Sequence, residues 1–303
     1  MSYYTERHGM RVPVERTEVI TYEMYALIFD CCERYFDYIA WKYPEECPDG
    51  NGCCGLDRSK LSIALKFEIP ALFQNENGII DKPQKGDYYR DADEYDQYGL
   101  LDFVEFMFAT VRNISYRFWH GYYRHYDLSF ENARGISSNF RNDINAIFSK
   151  TGLLYVLSDF GMVERVNENG VLSKEIENAV THVSEKGLKE LLQEAILLYK
   201  TPGPQARKDS VEKIWDALER LKTYYTTMDK KASASKIVND MAGGQSDFNS
   251  LFTDEFLALT KIGNNYRIRH HETDKIDITD VRHYDYFFNR CLALISLAIQ
   301  YLK

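Results

Sequence analysis

Apolar residues recur three and four apart over long stretches of this chain, and that period constrains its fold more than any other feature. From Thr21 to about Trp41, Tyr25, Ile28, Phe29, Cys32, Tyr35, Phe36 and Ile39 fall on one helical face. Leu100 to Tyr123 repeats the pattern with Phe103, Phe106, Met107, Val111 and Ile114, and Phe130 to Lys150 with Phe140, Ile144 and Phe148. Ser173 stands where a helix cap is expected, ahead of a helix running to Tyr199, with Glu175 and Glu177 at its positive end. Helices follow over Asp209 to Tyr225, Ala232 to Met241, Phe248 to Ile262, and from near Thr279 to the end.

The period changes in a few places. Leu153-Leu154-Tyr155-Val156-Leu157, a Ser-Asp-Phe-Gly turn and Met162-Val163-Glu164-Arg165-Val166 predict a short β-hairpin, the clearest strand signal in the chain. Leu61 to Phe73 is ambiguous between helix and strand. Glu46 to Gly55 reads as a turn-rich loop, and Gln74 to Gln97 as an acidic surface loop without metal-loop spacing. Thr201-Pro202-Gly203-Pro204 is a sharp break and serves as the expected boundary. The expectation is a mainly α protein of two helical domains, 1–200 carrying the hairpin and 205–303 forming a helical bundle.

Charge narrows the partners. The net charge is −9, yet the 15 Lys and Arg and 14 Asp and Glu from residue 201 onward nearly cancel, so the excess lies in the first 200 residues. An acidic first part is poorly suited to grip a phosphate backbone over a wide face, whereas the second can do so locally. DNA is not expected as a partner. The most apolar stretch, Tyr286 to Leu302, is interrupted by Asn289, Arg290 and Gln300 and reads as a core helix rather than a membrane span. Met1 to Ile20 has no apolar signal core, which with six cysteines fits a reducing, cytoplasmic setting.

Five of those cysteines, Cys31, Cys32, Cys47, Cys53 and Cys54, are close in sequence. The turn Pro48-Asp49-Gly50-Asn51-Gly52 could fold Cys47 back toward Cys53, which leaves zinc open. The spacing is not C-x2-C, so structural thiols are the expected reading, with no metal and no cofactor assigned. His120, His125, His182 and His283 stand apart and read as ordinary surface or packed histidines.

The segment that could carry chemistry is Asn264-Asn265-Tyr266-Arg267-Ile268-Arg269-His270-His271-Glu272, at a junction between helices. Histidine titrates near neutrality and can pass a proton, and guanidinium can hold a phosphate or stabilise charge building on it. That pairing suits metal-free RNA cleavage, in which the ribose 2′-hydroxyl is the nucleophile. The competing expectation is structural: Arg267 or Arg269 paired with Glu272, Asp274 or Asp277, and histidines capping a helix end.

The second half resembles HEPN domains, the helical bundles of prokaryotic toxins and abortive-infection proteins. The likeness lies in Asp209 to Ala217 as a first long helix, Phe248 to Phe252 opening the helix before the motif, and Ile268-Arg269-His270-His271 as the Ile-Arg-His segment. Phe140 to Phe148, the hairpin and the Ser173 helix resemble the amino-terminal domain preceding such bundles. The resemblance implies an RNA-directed defence or toxin protein acting as a homodimer. It implies His270 or His271 as acid/base, Arg269 and Arg267 on the scissile phosphate, and Asn264 orienting it. The chain departs from the catalytic pattern at one position: where the motif's arginine would precede Asn264 and His270 stands Gly263. A non-catalytic binding or scaffold protein of the same fold is the alternative.

Overall fold

The computed structural model describes residues 4–10, 12, 14–50, 52–166, 170–268 and 274–302. The chain divides into two compact units, Met1–Val166 and Asn167–Lys303. The boundary therefore lies ahead of the Ser173 helix and not at Thr201-Pro204. The reason is packing: the apolar face of the helix ending at Lys200 belongs to the second core, where Leu188, Leu192, Ala195 and Tyr199 are buried with Val211, Ile214 and Leu218. Pro202 and Gly203 turn the chain between two helices of one unit.

In the first unit, α1 (Tyr4–Arg7) is a single turn. α2 (Tyr22–Glu33) starts where the Thr21 hydroxyl accepts the Met24 amide at 3.3 Å, satisfying one of the free N–H groups of the first turn. It stops short of the expected Trp41, and a 3-10 turn (Phe36–Ile39) carries the remaining apolar residues inward. α3 (Arg58–Glu68) and α4 (Gln97–Thr110) are capped by Asp57 and Asp96, which resolves the ambiguous Leu61–Phe73 stretch as helix to Glu68. α5 (Ile136–Thr151) buries Ile136, Phe140, Ile144 and Phe148 on one face and ends at Gly152, whose φ of 77° is left-handed. The interior joins these helices through Phe29 against Phe103, ring centroids 5.9 Å apart, and Tyr35 against Phe140 at 5.0 Å. β5 (Tyr155–Leu157) and β6 (Val163–Arg165) form the expected hairpin. The Asn145 amide clamps it, donating to the Leu157 carbonyl and accepting the Leu157 N–H at 2.9 and 2.7 Å.

A second sheet departs from the helical expectation. α4 ends at Thr110 because Val111 turns extended, with ψ of 138°, and the Arg112 N–H goes to the Tyr38 carbonyl at 2.8 Å. Ile114-Ser-Tyr-Arg-Phe-Trp-His then forms β3 (Ile114–His120), not the tail of a helix reaching Tyr123. Its β-branched and aromatic residues fit a pleated surface better than a helical one. β4 (His125–Phe130) pairs back on it, so the next helix starts after Phe130. The expected loop at Glu46 to Gly55 is also a hairpin, β1 (Pro44–Glu46) and β2 (Cys53–Leu56). The four strands run antiparallel in the order β1-β2-β4-β3.

The second unit is a helical bundle. Ser173 caps α6 (Lys174–Thr181), and a break separates it from α7 (Lys186–Lys200). α8 (Pro204–Leu221), α9 (Lys230–Ala242), α10 (Ser246–Asn265) and α11 (Val281–Ala298) follow. α8 and α11 run through the middle, burying Trp215, Leu218, Phe288, Leu292 and Ile295. Tyr199 of α7 stacks flat on Phe288, centroids 3.8 Å apart, while its hydroxyl accepts the Asn289 amide at 2.8 Å. No helix among the described residues is long and apolar enough to cross a membrane.

Candidate functional site

The α10–α11 junction is built on the end of α10. The helix does not stop at Gly263 but continues through Asn264 and Asn265, and Tyr266 closes it by donating to the Ile262 carbonyl at 3.0 Å. The chain then runs extended. The Arg267 N–H donates to Ile276 O at 2.8 Å and the Ile276 N–H to Asn265 O at 2.9 Å, so the strand entering the junction is tied to the one leaving it. Ile268 is buried, anchoring the segment in the bundle core. Arg269, His270, His271 and Glu272 lie outside the described residues.

Two of the expected site residues, Asn264 and Arg267, are described. Asn264 is exposed on the last turn of α10. Arg267 is half-buried, with Nη1 2.7 Å from Asp277 Oδ1, one of the three acidic partners that the structural expectation named. Arg282, just inside α11, folds back on its own cap: Asp280 takes its guanidinium at 2.6 Å and its backbone N–H at 2.9 Å. These contacts hold the Asp280 carboxyl well below the usual carboxylate range, the Arg282 guanidinium being the larger influence. His283 is exposed. His182 is also exposed, its Nδ1 2.8 Å from the Asn178 carbonyl one turn back, as an ordinary helix-end histidine would be.

Gly263 has a packing reason. A Cβ there would lie 2.5 Å from Nε1 and 2.6 Å from Cδ1 of Trp215. The indole is itself fixed, donating to Leu259 O at 3.2 Å and meeting Phe287 edge-on with centroids 6.2 Å apart. An arginine therefore cannot occupy this turn of α10 unless Trp215 moves. The resemblance to HEPN domains leads one to expect an arginine here, and Trp215 occupies the space its side chain would need.

The second constellation is one that sequence spacing keeps apart. The β1–β2 turn and the β3–β4 turn bring Cys47, His120, His125 and Asp127 together, their ligand atoms all within 4.8 Å of one another. Cys47 Sγ is 3.5 Å from His120 Nδ1, which is 3.5 Å from Asp127 Oδ2, and His125 Nε2 is 3.2 Å from Asp127 Oδ1. His120 and His125 are thus not isolated residues as expected, but cross-strand partners in the β3–β4 register. The signal in the sequence is weak: two histidines five apart, joined to a cysteine more than seventy residues away by a strand pairing no local pattern announces.

No family model, curated protein or solved structure matches the chain.

Proposed function

We infer that the second unit is an RNA-binding module of HEPN type that holds RNA at the α10–α11 junction without cutting it. The basic segment 267–271 between two long helices supports the binding half of this reading. The observation that carries the non-cutting half is the Trp215 indole, which fills the space a side chain at position 263 would need. With glycine at 263, charge building on the scissile phosphate lacks the arginine that the catalytic pattern places ahead of Asn264. Arg267 follows Asn264 instead of preceding it, and Asp277 at 2.7 Å offsets part of its charge, so it contributes to holding a bound phosphate and does not replace the arginine of the catalytic pattern. In this reading Arg267, Arg269, His270 and His271 contact phosphates, two copies pair through the second unit, and the acidic first unit senses a trigger or restrains binding.

The test is fluorescence anisotropy with a labelled single-stranded RNA over a range of salt. Arg267→Ala should weaken binding and flatten the salt dependence of log K by about 0.7, the loss of one phosphate contact on a single strand. Asp277→Asn, which removes the acidic neighbour, should tighten it. A protein that shows no salt-dependent RNA binding, or an Asp277→Asn variant no tighter than wild type, contradicts the reading.

A further inference from the structure

The four-stranded sheet of the first unit is poorly supplied with apolar packing. Leu128 is the only residue of β1 to β4 that is buried, and the exposed positions of β3 include Tyr116, Phe118 and Trp119. Among the described residues, the β1–β2 hairpin is joined to the β3–β4 hairpin through one register pair, Cys53 with Leu128. Two hairpins with so little shared core need another link, since isolated two-stranded ribbons are marginal in water.

The link is at the turn end of both hairpins. Cys47, in the β1–β2 turn, is buried, and its N–H donates to Gly52 O at 2.8 Å to close that turn. His120 ends β3, His125 opens β4, and Asp127 stands two residues further along β4. Arg124 turns the β3–β4 loop in a left-handed conformation, φ 57°, which a side-chain-bearing residue adopts only when its surroundings impose it. Tyr123 lies against both imidazoles, edge-on to His120 at 4.8 Å and stacked on His125 at 5.9 Å. Gly52 lets Asp127 approach: a Cβ there would lie 3.1 Å from Asp127 Oδ1.

Two atoms in this cluster lack what buried polar atoms normally have. His125 Nε2 and Asp127 Oδ1 are sealed from solvent and make no hydrogen bond, although they face one another at 3.2 Å. Two buried polar atoms this close without hydrogen-bond alignment are both left unsatisfied, which is costly unless a further partner binds them. With one ligand atom taken from each residue, all four lie within 4.8 Å of one another. The Cys47 Sγ–His120 Nδ1 and His125 Nε2–Asp127 Oδ1 separations, 3.5 and 3.2 Å, are close to the edges of a zinc tetrahedron, about 3.3–3.8 Å for bonds of about 2.0–2.3 Å, and small side-chain rotations bring the remaining edges to that length.

We propose that Cys47, His120, His125 and Asp127 form a structural zinc site that staples the two hairpins of the first unit together. The donor set of one thiolate, two imidazoles and one carboxylate matches zinc; calcium and magnesium take oxygen alone. Four protein ligands fill the tetrahedron and leave no position for a reacting water, so the site is structural. On binding, the Cys47 thiol gives its proton to solvent and forms the sulfur–zinc bond, and both histidines bind neutral through Nδ1 of His120 and Nε2 of His125. One thiolate and one carboxylate balance the two positive charges, so the half-buried site is neutral. Asp49, whose Oδ2 is 3.8 Å from His120 Nδ1, stands at the rim. This proposal does not depend on the RNA reading of the second unit.

The experiment is zinc analysis of the full chain by elemental mass spectrometry after dialysis, together with cobalt titration after chelator treatment. The expected content is one zinc per chain in wild type and in Cys54→Ser, and its loss in Cys47→Ser and His125→Ala. Cys54 is the matched control, since its Sγ donates to Glu45 O at 3.4 Å, outside the cluster. Because a ligand variant can lose metal by failing to fold, the wild-type cobalt spectrum decides independently. Intense visible bands with thiolate-to-cobalt charge transfer, saturating at one equivalent and displaced by zinc, support the site. A weak octahedral spectrum, or equal zinc loss in Cys54→Ser and Cys47→Ser, overturns it.

Discussion

Among single residues, Gly263 and Trp215 set the packing at the end of α10. Alanine in place of a helical glycine ordinarily stabilises by roughly 0.5–1 kcal/mol. Here the new methyl would meet the indole at 2.5 Å, and the indole is held by Leu259 O and Phe287. Overpacking of this kind costs about 1–3 kcal/mol, so Gly263→Ala should lower stability despite the better helix propensity. Chemical denaturation checks it; a stabilised variant would show that Trp215 gives way easily. The sequence marks Gly263 only as a departure from the HEPN pattern that the second half resembles, because the residue that excludes a side chain lies 48 positions earlier on another helix. The Cys47 cluster is illegible for a similar reason. Metal-site spacing is readable when ligands sit on one local turn, and here the ligands come from two hairpins.

At the scale of elements, helices are legible in the sequence and strands mostly are not. α5, α8 and α11 carry strong three-and-four periodicity, and each buries the face the pattern marks. β3 reads as helix because Val111 and Ile114 continue the spacing of Phe103 and Met107, while neither face of the strand is buried enough to show alternation. The α6–α7 break is hidden because the apolar residues on both sides stay in step. What restarts the helix is Glu185, whose carboxylate accepts Gly187 N and Leu188 N at 3.1 and 2.6 Å and takes the Arg220 guanidinium of α8 at 2.7 Å. Arg220, with these amides, lowers the Glu185 carboxyl from 4.5 to about 2. A carboxyl depressed in the folded state contributes stability that is complete above its unfolded pKa and is lost as pH falls from near 4.5 toward 2. Glu185→Gln should therefore flatten the pH dependence of the unfolding midpoint over that window and cost about 1 kcal/mol at neutral pH as a weakened cap. Thermal melts of both proteins between pH 3 and 7 measure it; parallel curves would show that the contact contributes nothing.

Across the whole molecule, the two units differ in charge. The first holds most of the negative charge and the proposed zinc staple; the second, nearly neutral, contains the basic junction. Composition alone makes that asymmetry visible. The boundary is harder to read, because Pro202 and Gly203 look like a linker and act as an interhelical turn inside the second core. The central functional claim is that the junction binds RNA without cutting it. The most direct measurement is metal-free incubation of labelled RNA with wild type and His270→Ala, scoring binding and strand integrity in the same samples. Wild type should bind the RNA and leave it intact, as His270→Ala should. Cleavage by wild type that disappears in His270→Ala would contradict this claim, showing that the site cuts without a cation at position 263.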